Sequence, residues 1–175
     1  MLSTSIIGEE NIKILKGSVR MASKTNAMRL LDSKKIEYTA REYSGGALAA
    51  VDVAACLGQP EDRLFKTLVT TDNNHGYYVF VVPGDHELDL KKAAVCAGVK
   101  KIEMLKQKDL QKLTGYIHGG CSPIGMKKVF PTFVDSTALD WETIYVSGGK
   151  VGLQIEVDPR EFEKLIDVKF DTITK

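Results

Sequence analysis

A chain of 175 residues, 43% hydrophobic and 27% charged, is long enough for one domain with a substantial core and short for two. Its net charge of +1, from 24 basic and 23 acidic residues, excludes a protein that works chiefly by nonspecific attraction to phosphate. The cysteines, Cys56, Cys96 and Cys121, stand far apart with no C-x-x-C pair, which argues against a structural zinc site and for a reducing compartment.

Residues 1–20 lack the basic start, apolar run and small-residue cleavage site of a signal peptide, and apolar runs such as Tyr77 to Pro83 fall far short of the roughly 20 residues that cross a bilayer. No membrane span and a cytoplasmic location are expected. Residues 1–20 read as an N-terminal extension, either non-native or poorly ordered, and residues 21–175 as one domain opening near Met21. A first helix follows, with Ser23 or Thr25 as cap and Ala27, Met28, Leu30 and Leu31 at helical spacing.

Ile36 to Tyr43 alternates as a strand and is broken by Ser44-Gly45-Gly46. Ala47 to Leu57 is a small-residue helix stopped at Gly58. Arg63 to Val69 and Gly76 to Val82, parted by polar residues, predict an antiparallel hairpin. A helix over Leu88 to Cys96, burying Leu88, Leu90, Ala93, Ala94 and Ala97, a short strand over Lys101 to Met104 and a helix over Gln107 to Thr114 complete the middle. Val129 to Val134, Thr143 to Val146 and Gly152 to Val157 read as strands, and Pro159 opens a closing helix, Arg160 to Ile166. This mixture predicts an α+β domain with a mostly antiparallel, barrel-like sheet rather than a parallel nucleotide-binding one.

The strongest chemical signal is Gly115-Tyr116-Ile117-His118-Gly119-Gly120-Cys121-Ser122-Pro123-Ile124-Gly125, with four glycines in eleven residues. Such a loop either brings backbone N–H groups to a carboxylate, phosphate or developing oxyanion, or is a plain tight turn. Ser147-Gly148-Gly149-Lys150-Val151-Gly152 is a second glycine turn, whose spacing fails the phosphate-loop pattern because Val151 follows Lys150. Lys66 shares a strand face with Leu64 and Leu68, so it must snorkel, pair or line a cavity, unless it sits on an exposed edge.

His118 beside Cys121 invites a Cys-His nucleophile, but adjacency gives no sign of thiolate activation. His75 and His86 sit in turns, and no metal set and no cofactor are expected. Lysines cluster at Lys91, Lys92, Lys100, Lys101, Lys106, Lys108 and Lys112, with Lys127 and Lys128 following. Either a solvated helical face or an RNA-contacting surface accounts for them.

Arg63-Leu64-Phe65-Lys66-Thr67-Leu68, Leu88-Asp89-Leu90-Lys91-Lys92, the Gly115 to Gly125 loop and Tyr145-Val146-Ser147-Gly148-Gly149-Lys150 stand in one order. Together they resemble the YbaK/EbsC family of aminoacyl-tRNA deacylases, relatives of the editing domain of bacterial prolyl-tRNA synthetase. The resemblance runs from about Thr25 to Ile173 and implies a six- or seven-stranded mixed barrel with helices around it. It implies hydrolysis in trans of misacylated tRNA, with Cys-tRNAPro foremost, and a prolyl-tRNA synthetase as a candidate partner. An alanine-selective or broad-range deacylase and a non-catalytic module binding a nucleotide or tRNA end are the alternatives.

In this resemblance Lys66, Gly119 and Gly120 take the catalytic places. Tyr43, Thr67, His118, Ser122, Ser147, Gly149 and Gln154 take substrate-binding ones. Gln154 stands where YbaK carries an acidic residue, and Ser44-Gly45-Gly46-Ala47 replaces a polar, histidine-containing stretch.

Overall fold

The computed structural model describes residues 23–175 and the strand β1 (Lys13–Lys16). The remainder of the expected extension, residues 1–12 and 17–20, lies outside the described residues, as do residues 21 and 22. Helix α1 (Asn26–Ser33) starts where Thr25 Oγ1 accepts the Met28 N–H at 3.2 Å, and it buries Ala27, Met28 and Leu31. The same hydroxyl donates to the Gly148 carbonyl at 2.5 Å, tying the helix start to the second glycine turn.

After β2 (Thr39–Glu42), helix α2 (Ala50–Leu57) ends at Gly58, whose φ of 65° suits a residue without Cβ. Strands β3 (Phe65–Thr71) and β4 (Tyr77–Pro83) form the expected hairpin, paired from Phe65 with Pro83 to Thr71 with Tyr77. Asp72 Oδ1 closes its turn by accepting N–H bonds from Asn74 and Gly76, each at 2.8 Å. Helix α3 (Leu90–Ala97) is capped by Asp89, and β5 (Glu103–Met104) and α4 (Gln107–Thr114) follow. The last third holds β6 (Thr132–Asp135), β7 (Ile144–Ser147), β8 (Leu153–Val157) and β9 (Val168–Asp171).

The strands form two hydrogen-bonded sheets, β1-β2-β8-β7 and β5-β3-β4-β6-β9, in place of the single barrel-like sheet of six or seven strands. An isolated bridge between Leu64, just before β3, and Tyr145 of β7 is the one backbone link between the sheets among the described residues, so they do not close as a ladder. Most pairs are antiparallel, but β4 with β6 and β6 with β9 run parallel. The chain returns from β4 to β6 through α3, β5 and α4, the long crossover a parallel pair needs.

Two further expectations change. Residues 159–164 are a 3₁₀ turn and not an α-helix: Leu165 N–H donates three residues back to the Phe162 carbonyl at 2.9 Å. Leu90 is 42% exposed, because α3 begins there while Leu88 turns inward and bridges Thr174.

One core cluster includes Ile155 and Val146 of one sheet with Val79 and Phe65 of the other. A second gathers Phe80, Phe133, Ala93 and Ala94, and a third packs Val53, Ala54 and Leu57 of α2 against Tyr43, Leu64 and Tyr145. Burying such side chains stabilises by about 1.5–3 kcal/mol each, and this fixes α2 over the face of its sheet.

Between the Leu64 bridge and the two pairs that β3 makes with β5, at Thr70 and Thr71, the outer edge of β3 has no strand partner among the described residues. Leu64 accepts from Gly84 N–H on the β4 side and Val69 accepts from Leu105 N–H on the other. By alternation the N–H and C=O of Thr67 therefore turn outward.

Candidate active site

That open edge forms one wall of a cleft of about 760 Å³, bounded by α2, α4, the first glycine loop and the ends of β7 and β8. Tyr43, Lys66, Thr67, His118, Gly119, Ser147 and Gln154 all line it. Among the described residues no aspartate or glutamate does, and Lys66 is the one lysine or arginine that lines it. Lys66 is half-buried, and its Nζ donates a long bond of 3.4 Å to the Gly84 carbonyl, which leaves donors free for a ligand.

Two buried oxygens in the cleft, Thr67 Oγ1 and Gln154 Oε1, have no hydrogen-bond partner among the described residues. A buried polar atom without a partner costs about 1–3 kcal/mol, so the described residues leave both oxygens with unused acceptor capacity. Tyr43 donates its backbone N–H to Gly152 at 2.9 Å. Burial pushes its phenol above the usual tyrosine range, opposed in part by hydrogen bonding with Gln154 and Gly152.

The first glycine loop is held from below, where the buried Tyr116 hydroxyl donates to the Ile124 carbonyl at 2.7 Å. Gly120 N–H donates to the Ile117 carbonyl at 3.0 Å and closes a turn. Gly119 takes a φ of 85° inside that turn, and a Cβ there would lie 2.9 Å from Ala47 Cβ, so glycine allows the loop to close on the chain before α2.

The remaining expected residues lie outside the lining. Gly120 presses on the Lys150–Val151 backbone, where a Cβ would stand 2.7 Å away, and its N–H is already used. Ser122 is fully buried, and its Oγ accepts from Ile124 N–H at 3.4 Å. Gly149 N–H donates to Ser147 Oγ at 3.2 Å, shaping the turn beside the cleft.

Sequence reasoning missed the apolar wall, to which α2 and the chain before it contribute Ala50 and Leu48, and α4 and the chain before it Leu110 and Leu105. It also missed Gly84, whose Pro-Gly position at the end of β4 was the available signal. Cys121 lines the cleft, but burial pushes its thiol up to about 12, with hydrogen bonding to Thr114 only partly opposing this. It is therefore no thiolate at neutral pH. Among the described residues no three of His, Cys, Asp and Glu gather as metal ligands would, and no helix is long and apolar enough to cross a membrane.

Residues 45–165, which carry the walls of this cleft apart from Tyr43, match the family model of the aminoacyl-tRNA editing domain. The chain belongs to the aminoacyl-tRNA editing domain family. Among its relatives in that family, the "Putative Cys-tRNA(Pro)/Cys-tRNA(Cys) deacylase EbsC" of Enterococcus faecalis is 50% identical over 153 residues, covering 86% of this chain and 93% of that protein. A proline–tRNA ligase of Pelobacter propionicus is 35% identical over 77 residues, which are 44% of this chain and 13% of the ligase. The editing-domain fold also appears in the crystal structure of "a putative trans-editing enzyme for prolyl tRNA synthetase", with a TM-score of 0.76 at 22% identity over 88% of this chain and 99% of that one.

Proposed function

We propose that this chain is a trans-editing deacylase that releases cysteine from misacylated Cys-tRNAPro by substrate-assisted cleavage, in the cytoplasm where translation uses the tRNA. The observation that carries the reading is the cleft itself: a free lysine, a glycine turn and two unpartnered oxygens converge there, with no activated protein nucleophile. An ester on a ribose is already activated, so orientation and stabilisation of the carbonyl oxyanion suffice.

Lys66 Nζ supplies the positive charge, and the Gly119 turn supplies main-chain N–H groups. Gln154 Oε1 and Thr67 Oγ1 are acceptors for the substrate amine. The cysteinyl thiol of the substrate attacks its own carbonyl carbon. The new S–C bond replaces the C–O bond to the ribose, the thiol proton passes to the departing ribose oxygen, and cysteine leaves as a cyclic thiolactone. Gly120 supports this by fixing the turn against Lys150 and Val151, and Ser122 and Gly149 act likewise from behind the wall. A prolyl-tRNA synthetase is the natural source of the mischarged tRNA.

The test is release of labelled amino acid from Cys-, Ala-, Ser- and Pro-tRNAPro. Preferential loss of cysteine, kept in a Cys121→Ser variant, is the expected result. Preference for alanine would move the enzyme to an alanine-selective specificity, and four intact esters would leave a binding module. Inactivity of Cys121→Ser with its fold retained would replace the substrate thiol by a protein nucleophile.

A further inference from the structure

The two rims of the cleft differ in charge. From Tyr43 to Asp62, the segment that contains α2, there is no lysine or arginine; its charges are Asp52, Glu61 and Asp62, all exposed. The facing rim is basic. Lys106, Lys108 and Lys112 are exposed on and beside α4, whose Gln107 and Leu110 line the cleft. Lys127 packs against Gly115 at the end of that helix, where a Cβ would meet its side chain at 3.3 Å.

None of these four lysines forms an ion pair among the described residues, whereas Lys101, Lys164 and Lys175 each hold a carboxylate. Asp109 is the one acid on α4. Two large apolar side chains stay exposed on the same rim: Met104 at 47% and Ile117 at 49%.

On a protein of net charge +1, four unpaired cations on one rim direct its field toward an anion approaching from that side. Lysines interleaved with exposed apolar side chains suit a nucleic acid strand, with phosphates on the cations and bases on the apolar faces. The acidic, lysine-free rim repels the same strand.

We infer that the α4 rim is the track for the 3′ strand of the RNA, which crosses Lys112, Lys108 and Lys106 before its last nucleotide turns into the cleft at Lys66, leaving the α2 rim free. This deepens the deacylase reading and takes the RNA partner from it, but its test does not depend on cleavage.

The measurement is fluorescence anisotropy with labelled, deacylated tRNAPro transcript between 50 and 200 mM salt, a range over which phosphate contacts separate by roughly 0.7–0.9 in log–log slope each. The Lys108→Gln/Lys112→Gln double variant is expected to bind at least about tenfold more weakly and to lose roughly 1.4–1.8 from the slope. A Lys164→Gln/Lys169→Gln control, with Lys169 on β9 at the far edge of the sheet, keeps the wild-type affinity and slope. Wild-type behaviour of the α4 variant overturns the inference, and so does an equal loss in the control. If the protein cleaves no ester while the α4 variant alone loses RNA, the deacylase reading falls and the track stands.

Discussion

Arg41 and Gln154 are direct partners across the β2–β8 ladder, and each keeps one buried polar atom without a partner among the described residues: a donor on Arg41 Nε and an acceptor on Gln154 Oε1. Arg41 is otherwise engaged, its guanidinium bonding Glu156 at 3.2 Å and lying 5.2 Å from the centre of the Tyr145 ring. Gln154 Oε1 is thus left without a protein donor among the described residues, on a side chain that lines the cleft. Gln154→Met, similar in volume, removes that oxygen together with the contact to Tyr43. Chemical denaturation should show stability within about 1 kcal/mol of wild type, since loss of an unpaired acceptor offsets loss of a hydrogen bond. Ester hydrolysis should fall at least about tenfold, the equivalent of 1.4 kcal/mol. A large drop in stability with activity retained would make Gln154 a structural residue.

Lys66 has one long hydrogen bond in the resting cleft, so little of the fold depends on its charge. Lys66→Ala should lower the deacylation rate by about 10²–10³, the usual cost of losing one oxyanion donor, with the melting temperature nearly unchanged. Single-turnover assays alongside thermal denaturation check this, and undiminished turnover would remove Lys66 from the chemistry.

Gly119 and Gly46 both take positive φ, at 85° and 75°, but only Gly119 has a neighbour where a Cβ would go. Alanine at either position costs about 1–2 kcal/mol for the left-handed backbone. Gly119→Ala adds the collision with Ala47, so it should be the more destabilising of the two in urea titrations and should abolish activity. Equal destabilisation would mean that the chain before α2 yields freely.

Glu156 is held below the usual carboxylate range. Burial alone would raise it, but hydrogen bonds from Thr143 and Tyr145 and the charges of Arg41 and Arg63 outweigh that. A carboxyl depressed in the folded state contributes stability above its unfolded value, about 4.3, and loses that contribution as pH falls through the folded one. The melting temperature of the wild type should therefore drop below about pH 4 more steeply than that of Glu156→Gln, which starts lower at pH 7. Parallel acid profiles would show that other carboxyls govern acid unfolding.

Much of this architecture was legible where a chemical signal marked it. Thr25 and Gly58 bound their helices at expected residues, and α4 has the predicted limits. Strand β9 was not legible: Val168–Asp171 is four residues long and is recruited by the long-range parallel pairing with β6. For the site, Lys66 and the glycine loop stood out by composition, whereas the unpartnered oxygens of Thr67 and Gln154 exist only because distant strands meet. Likewise nothing in the glycine count distinguishes Gly119, facing the cleft, from Gly120, facing Val151.

The outward-turned peptide groups of β3 have a consequence for how this enzyme would be dissected. An alanine scan reads side chains, and Thr67→Ala leaves the N–H and C=O of residue 67 where they are. Whatever binding those two groups supply would be silent in such a scan, so the inventory of contributing residues would come out too short. Replacing the amide at position 67 by an ester, through semisynthesis, deletes the donor alone and weakens the carbonyl before it. In evolutionary terms, side chains around the cleft can drift while the backbone of residue 67 continues to offer the same pair of groups.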